Sequence, residues 1–209
     1  MQPPLFQTSK KIILASASPR RINFLKGLGL PFQTIPADID ETAQNNELPE
    51  TFVRRLAREK ALAVAKHHPD AVLIGADTVI DCQGQILGKP ADREQALAML
   101  QSLRQMQTHQ VITGLALVAL NDGIDICQAS TTTVHFGDLP DPVLQAYVAS
   151  GEPMGKAGAY AIQENGGFLV KKISGSSTNV IGLPMYELIT LLLDSLIIYP
   201  GHSDDFLPA

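Results

Sequence analysis

A serine-rich turn followed by two arginines, Ser16-Ala17-Ser18-Pro19-Arg20-Arg21, brings together several groups that can bind an anion. Hydroxyls and the free N–H groups of a helix start can point at phosphate oxygens, and guanidinium forks match their geometry. The turn is not a Walker loop, because the glycines and the Gly-Lys-Ser/Thr ending are absent. Taken alone, it is also accounted for by a capped helix with two solvated arginines. Asp77 follows the apolar run Val72–Ile74, where Gly75 interrupts it. A carboxylate there can hold a divalent cation or take a proton from water, or it can simply close a turn. Glu41, Lys60, Lys89 and Lys156 could supply a second carboxylate and point charges for phosphates. Of these, Lys89 is held in a defined backbone by Gly88 and Pro90. His67, His68, His109, His135 and His202 show no metal-ligand spacing. Cys82 and Cys127 make neither a zinc site nor a disulfide framework. No nucleophile elbow accompanies the serines, so acyl transfer is not supported.

These residues need elements to hold them. Residues 1–9 read as a loose tail. Lys11–Ala15 reads as a buried strand, followed by a helix with Ser18 as N-cap and Pro19 at its first position. Pro31–Pro36 reads as a second strand, leading to the acidic loop Asp38-Ile39-Asp40-Glu41. A long helix from Pro49 to His67 has Val53, Leu56, Ala57, Leu62 and Ala65 as its apolar stripe. Ala71–Ile80 is strand-like, Asp81–Gln85 a hairpin turn, and Asp92–Leu103 a helix with Asp92 as cap. Asn121-Asp122-Gly123 joins strands over 110–120 and 124–136. A helix over 140–150, strand-like patches at Tyr160–Gln163 and Phe168–Ile173, and a last helix over 185–199 complete the chain. Strands alternate with helices and a long hairpin intervenes, which predicts an α/β fold with a mixed sheet. The division read from the sequence is a tail at 1–9, one domain at 10–199 and a polar tail at 200–209.

Composition limits the partners. The chain has 209 residues, 45% hydrophobic and 18% charged, which suits a folded globular protein. Its net charge of −5 argues against a general nucleic-acid or basic membrane binder. Residues 1–60 nevertheless carry nine Lys/Arg against six Asp/Glu, a local excess suited to an anion site. The opening MQPPLFQTSKK lacks an apolar core, so no signal peptide is expected. The most apolar stretch, Ile181–Tyr199, contains Glu187 and Asp194 and suits a core helix. A soluble cytoplasmic protein with free thiols is expected.

The segments LASASPRR (14–21), DIDE (38–41), RLAREKA (55–61), IGADTV (74–79), GKP (88–90), HQVITG (109–114), KAGAYAIQ (156–163) and GLP (182–184) occur in this order. Together they resemble the Maf family of nucleoside triphosphate pyrophosphatases, also called septum formation inhibitor proteins, over Ile12 to Leu193. The resemblance implies a strongly twisted mixed sheet with flanking helices and two lobes around a deep cleft. It implies cleavage of a nucleoside triphosphate between the α and β phosphates, dependence on Mg2+ or Mn2+, and a homodimer. By the resemblance, Asp77 is the proton acceptor and joins Glu41 in holding the metal. Ser18, Arg20 and Arg21 form the phosphate loop, and Lys60 and Lys89 face the phosphates. Arg20, Thr78 and Gln163 match positions linked to substrate choice and resemble the dTTP/UTP branch.

The chain departs from the family pattern at four places. Arg104-Gln105-Met106 replaces a Ser-Gly, Gly155 an aspartate, Ser177 an aromatic and Glu164 a glycine. None removes a group with an implied catalytic role. Two other readings stand beside the main one: a house-cleaning pyrophosphatase for modified nucleotides, and a non-catalytic nucleotide-binding regulator of cell division.

Overall fold

A computed structural model describes residues 4–201. A seven-stranded mixed sheet is its frame. Its strands are β2 (Lys11–Leu14), β3 (Phe32–Thr34), β4 (Ala71–Cys82), β5 (Gln85–Leu87), β6 (Thr108–Ala119), β7 (Ile124–Phe136) and β8 (Val170–Ser174). The order is β3-β2-β4-β6-β7-β8, with β5 added on β4. β2 runs parallel to both β3 and β4, and every later pairing is antiparallel. The α/β class and the mixed sheet are as the sequence predicts.

Period-2 alternation sorts β4 onto two faces. One face packs against helix α2 (Pro49–Ala65), where Ala57, Ala61 and Val64 meet Ile13, Leu73, Ala116 and Val118. Farther along the same helix, Val53 and Leu56 meet Val79 and Ile112. The opposite face carries two separate apolar clusters. One joins Ile74, Ala76, Leu115 and Leu117 to helices α1 (Pro19–Gly27) and α6 (Met185–Asp194). The other joins Ile80, Cys82, Val111 and Val134 to helices α3 (Arg93–Met106) and α4 (Asp141–Ala149). Between them the alternation delivers hydroxyls rather than apolar groups, Thr78 from β4 and its register partner Thr113 from β6. The two cores thus meet at a polar seam.

Several expectations need correction. Gly75 does not interrupt the strand, because β4 runs unbroken from Ala71 to Cys82 and Asp77 sits in its middle. The glycine instead admits α2, since a Cβ at Gly75 would lie 2.0 Å from the carbonyl oxygen of Ala57. Phe6–Gln7 (β1), expected in a loose tail, pairs antiparallel with Tyr199–Pro200 (β9). The last helix stops at Asp194 rather than Tyr199. Leu196 takes a left-handed conformation (φ 53°), and Ile197 and Ile198 beyond it are buried in the core. Tyr160–Gln163 is loop rather than strand, between 3-10 turns at Ala157–Ala159 and Asn165–Leu169. A short helix, α5 (Ser177–Ile181), stands where none was read. Of the expected polar tail, residues 202–209 lie outside the described residues. No helix among the described residues is long and apolar enough to cross a membrane.

One buried imidazole makes the fold sensitive to acid. His109 is 3% exposed, with Nε2 2.7 Å from the Tyr160 hydroxyl and Nδ1 without a partner among the described residues. Burial pushes its pKa down to about 4. An imidazole freed by unfolding titrates near 6.5, so as pH falls the unfolded chain takes the proton first. The stability is whole above about pH 6.5 and is lost as pH falls towards 4, by about 3 kcal/mol in all. Urea titrations across this window should show a falling midpoint in the native protein. In His109→Phe the same window should be flatter.

Candidate active site

The cleft opens where β4 loses its neighbour. β2 pairs with β4 only through Ile74, with Ala15 N–H donating to the Ile74 carbonyl just beyond (2.9 Å). β5 joins only at Ile80. Along residues 75–79 this edge of β4 has no strand beside it among the described residues, so side chains from both faces of the sheet reach one space. That space has a volume of about 740 Å3.

Every residue singled out for chemistry lines it: Ser16, Ser18, Arg20, Arg21, Glu41, Lys60, Asp77, Thr78, Lys89, Lys156 and Gln163. They arrive from separate segments. The turn after β2 and the start of α1 bring the serines and arginines. Pro19 occupies the first turn of α1 as expected, but Ser18 makes no side-chain cap. Instead the Ser16 hydroxyl accepts from Ser18 N–H at 3.2 Å. α2 brings Lys60, and the segments after β5 and α4 bring Lys89 and Lys156. Apolar walls come from Phe52, Leu56, Ile86, Tyr160 and Ile162.

At the centre, Lys60 and Asp77 are each only 8% exposed. The Lys60 ammonium donates to Asp77 Oδ1 at 2.6 Å and lies 2.7 Å from Glu41 Oε1. Two carboxylates therefore converge on one cation, which offsets the cost of burying Asp77, while Glu41 stays exposed at the mouth of the cleft. Glu41 itself is on an irregular loop, and Arg55 of α2 holds that loop. Its guanidinium grips Glu47 through two 2.7 Å bonds and donates to the Thr42 carbonyl at 3.2 Å. From the sequence, Arg55 stands out only as the first residue of the segment RLAREKA. Its positioning role depends on a loop eight residues away that carries no regular pattern.

Arg21 is the most engaged of the cleft cations. It donates from Nε to the Gly182 carbonyl (2.7 Å), from Nη1 to Ser16 Oγ (3.3 Å) and from Nη2 to Thr78 Oγ1 (3.0 Å). Burial pushes its pKa below the ordinary arginine value, and the charge of Asp77 opposes that shift. Arg20 and Lys89 have no ion-pair partner among the described residues. Lys156 is tied to Glu164 at 2.9 Å, beside Gln163 on the rim. The cleft thus combines several cations with two inward carboxylates, an arrangement suited to a polyanion and an associated cation.

No group of three or more His, Cys, Asp or Glu able to hold a metal occurs among the described residues. The donor set still fits magnesium or manganese. Such ions take one or two carboxylates and fill the rest of their shell with water and substrate phosphates. Glu41 and Asp77 already direct oxygens at a common cation.

A family model described as Maf-like protein matches residues 11–195. A dTTP/UTP pyrophosphatase of Desulfotalea psychrophila is 46% identical over 189 residues, spanning 90% of this chain and 96% of that one. A protein of the same name from Nitratidesulfovibrio vulgaris is 47% identical over 189 residues, spanning 90% and 89%. Among solved structures, a HAM1 protein from Coxiella burnetii aligns with a TM-score of 0.49 at 17% identity, covering 88% of this chain and 99% of that one.

Proposed function

The chain belongs to the Maf-like protein family, and from that premise we propose that it hydrolyses dTTP and UTP between the α and β phosphates. The products are the nucleoside monophosphate and pyrophosphate. The observation that carries this reading is the convergence of cations and paired carboxylates on one cleft at the open edge of β4.

In this mechanism Ser18, Arg20 and Arg21 bind the triphosphate at the start of α1, with Lys60 and Lys89 adding point charges. Asp77 orients a water molecule against the α phosphorus and takes its proton. The new bond joins the water oxygen to the α phosphorus, and the bond from the α phosphorus to the bridging oxygen breaks. Pyrophosphate leaves with that electron pair. Glu41 and Asp77 would hold a divalent cation, which when bound neutralises phosphate charge and polarises the phosphoryl oxygens. Phosphoryl chemistry asks a protein chiefly for positioning and charge neutralisation, which this set of side chains suits. Lys60 stands between the two carboxylates and would have to leave that place for them to hold a cation. That frees Lys60 to face the phosphates.

Substrate choice falls to Arg20, Thr78 and Gln163, as the family resemblance implies. Gln163 stands on the rim, and its amide offers both a donor and an acceptor to a pyrimidine edge. The reading also includes a cytoplasmic homodimer, on the family resemblance alone, and no nucleic-acid or membrane partner, in keeping with the net charge of −5.

The test is turnover of a panel of canonical and modified triphosphates with Mg2+ or Mn2+. dTTP and UTP should exceed the purine nucleotides in kcat/KM, and Gln163→Ala should reduce that preference about tenfold. Faster cleavage of modified purines would replace the substrate assignment with the house-cleaning one. An unchanged preference in Gln163→Ala would remove Gln163 from base recognition.

A further inference from the structure

Thr78 and Thr113 occupy the polar seam between the two apolar clusters, and their hydroxyls lie 2.9 Å apart. Thr113 Oγ1 is 3.1 Å from the main-chain carbonyl of Asn179, and Arg21 Nη2 is 3.0 Å from Thr78 Oγ1. Hydrogen-bond inventory fixes the direction of this chain. A guanidinium only donates and a carbonyl only accepts, while each hydroxyl has one proton to give. Arg21 therefore donates to Thr78, Thr78 to Thr113, and Thr113 to the Asn179 carbonyl. Reversing either hydroxyl leaves two donors facing each other or a carbonyl without its proton.

Thr113 is wholly buried and does not line the cleft. Its hydroxyl has no water to turn to, so the chain is its source of partners. The anchor behind it is firm. The Asn179 side chain donates from Nδ2 to the Val111 carbonyl (3.0 Å) and to Thr132 Oγ1 (2.9 Å), which pins α5 to β6 and β7. The segment that supplies the Asn179 carbonyl ends at Gly182, whose carbonyl accepts from Arg21 Nε at 2.7 Å. Both edges of one guanidinium are thus held by a single short helix, one directly and one through two hydroxyls.

We propose that Thr113 and the Asn179 carbonyl behind it are positioning groups that set the orientation of the Arg21 guanidinium towards bound phosphate. A planar fork presents its remaining N–H groups to an anion in one plane only, so fixing that plane in advance removes an ordering cost from binding and turnover. Thr78 acts in the same chain. Its influence on the substrate passes through Arg21, not through contact with a base. The proposal rests on the phosphate-binding role given to Arg21 above.

The experiment compares Thr113→Val, which keeps shape and removes the hydroxyl, with Thr113→Ser, which keeps the hydroxyl. Steady-state turnover of dTTP is measured alongside affinity for inorganic pyrophosphate and the Arg21 guanidinium N–H signals of 15N-labelled protein. Thr113→Val should lose about tenfold in kcat/KM, the scale of one broken buried hydrogen bond, and weaken pyrophosphate binding in parallel. Its Arg21 signals should broaden, while Thr113→Ser stays within twofold of the native protein. Thr78→Val combined with Thr113→Val should cost little more than either alone, because one break already opens the chain.

Native turnover and native Arg21 signals in Thr113→Val would overturn the proposal. So would an equal loss in Thr113→Ser and Thr113→Val, which would mark a packing effect. If the native protein turned over no triphosphate, the proposed function would fall, and the Arg21 signals alone would decide: unchanged signals in Thr113→Val overturn the positioning role, and broadened ones support it.

Discussion

Asp77→Asn is expected to lower kcat for dTTP by between about 10²- and 10⁴-fold, the range for loss of a positioned general base. The change is nearly isosteric. The asparagine oxygen can still accept from Lys60, and Lys60 keeps its contact with Glu41. The fold should therefore survive, and the urea midpoint should stay close to that of the native protein. Nucleotide binding should also survive, since the arginines at the start of α1 are untouched. A variant that bound dTTP normally and hydrolysed it at more than half the native rate would remove Asp77 from the chemistry. Loss of activity together with loss of fold would make Asp77 structural.

The largest effect on stability is expected at Gly75. An added Cβ there would meet the Ala57 carbonyl oxygen at 2.0 Å and the Ala61 Cβ at 3.0 Å. The first obstacle is helix backbone, which cannot turn aside as a side chain would. α2 must lift from the sheet, and Gly75→Ala should cost about 3 kcal/mol or more. Gly114→Ala should behave alike, because its Cβ would lie 2.1 Å from the Val53 carbonyl oxygen. Both glycines lie on the α2 face in line with Asp77, which pairs in register with Gly114. Lifting α2 also withdraws Lys60 from Asp77, so residual folded protein should lose activity as well. Gly27→Ala is the control: nothing lies within 4 Å of the added atom, and its unfolding midpoint should not fall. Denaturant unfolding of the three variants checks the ranking.

Local chemistry made much of this site legible. Pro19 starts α1, Asp92 caps α3 by accepting from Gln95 N–H at 2.8 Å, and the apolar stripe of α2 faces the sheet as its spacing requires. The residues read as phosphate and metal groups do share one cleft. What sequence pattern missed depends on distant partners. Gly75 reads as a break because alternation within a strand says nothing of the helix pressing on it. The pairing of Phe6–Gln7 with Tyr199–Pro200 joins two-residue strands from opposite ends of the chain, too short for any periodicity. The apolar run after Met185 looks helical throughout, yet Leu196 turns it so that Ile197 and Ile198 fill the α1 core. Thr113 was visible within HQVITG as a strand residue. Only the register against Thr78 reveals that the two hydroxyls meet.

The reaction itself is tested most directly by following dTTP hydrolysis with 31P NMR in the presence of Mg2+. The chemistry of the cleft predicts dTMP and pyrophosphate appearing one to one, with neither dTDP nor free phosphate formed. Accumulation of dTDP with inorganic phosphate would place the cut at the terminal bond and contradict cleavage between the α and β phosphates. So would bound dTTP that stays intact.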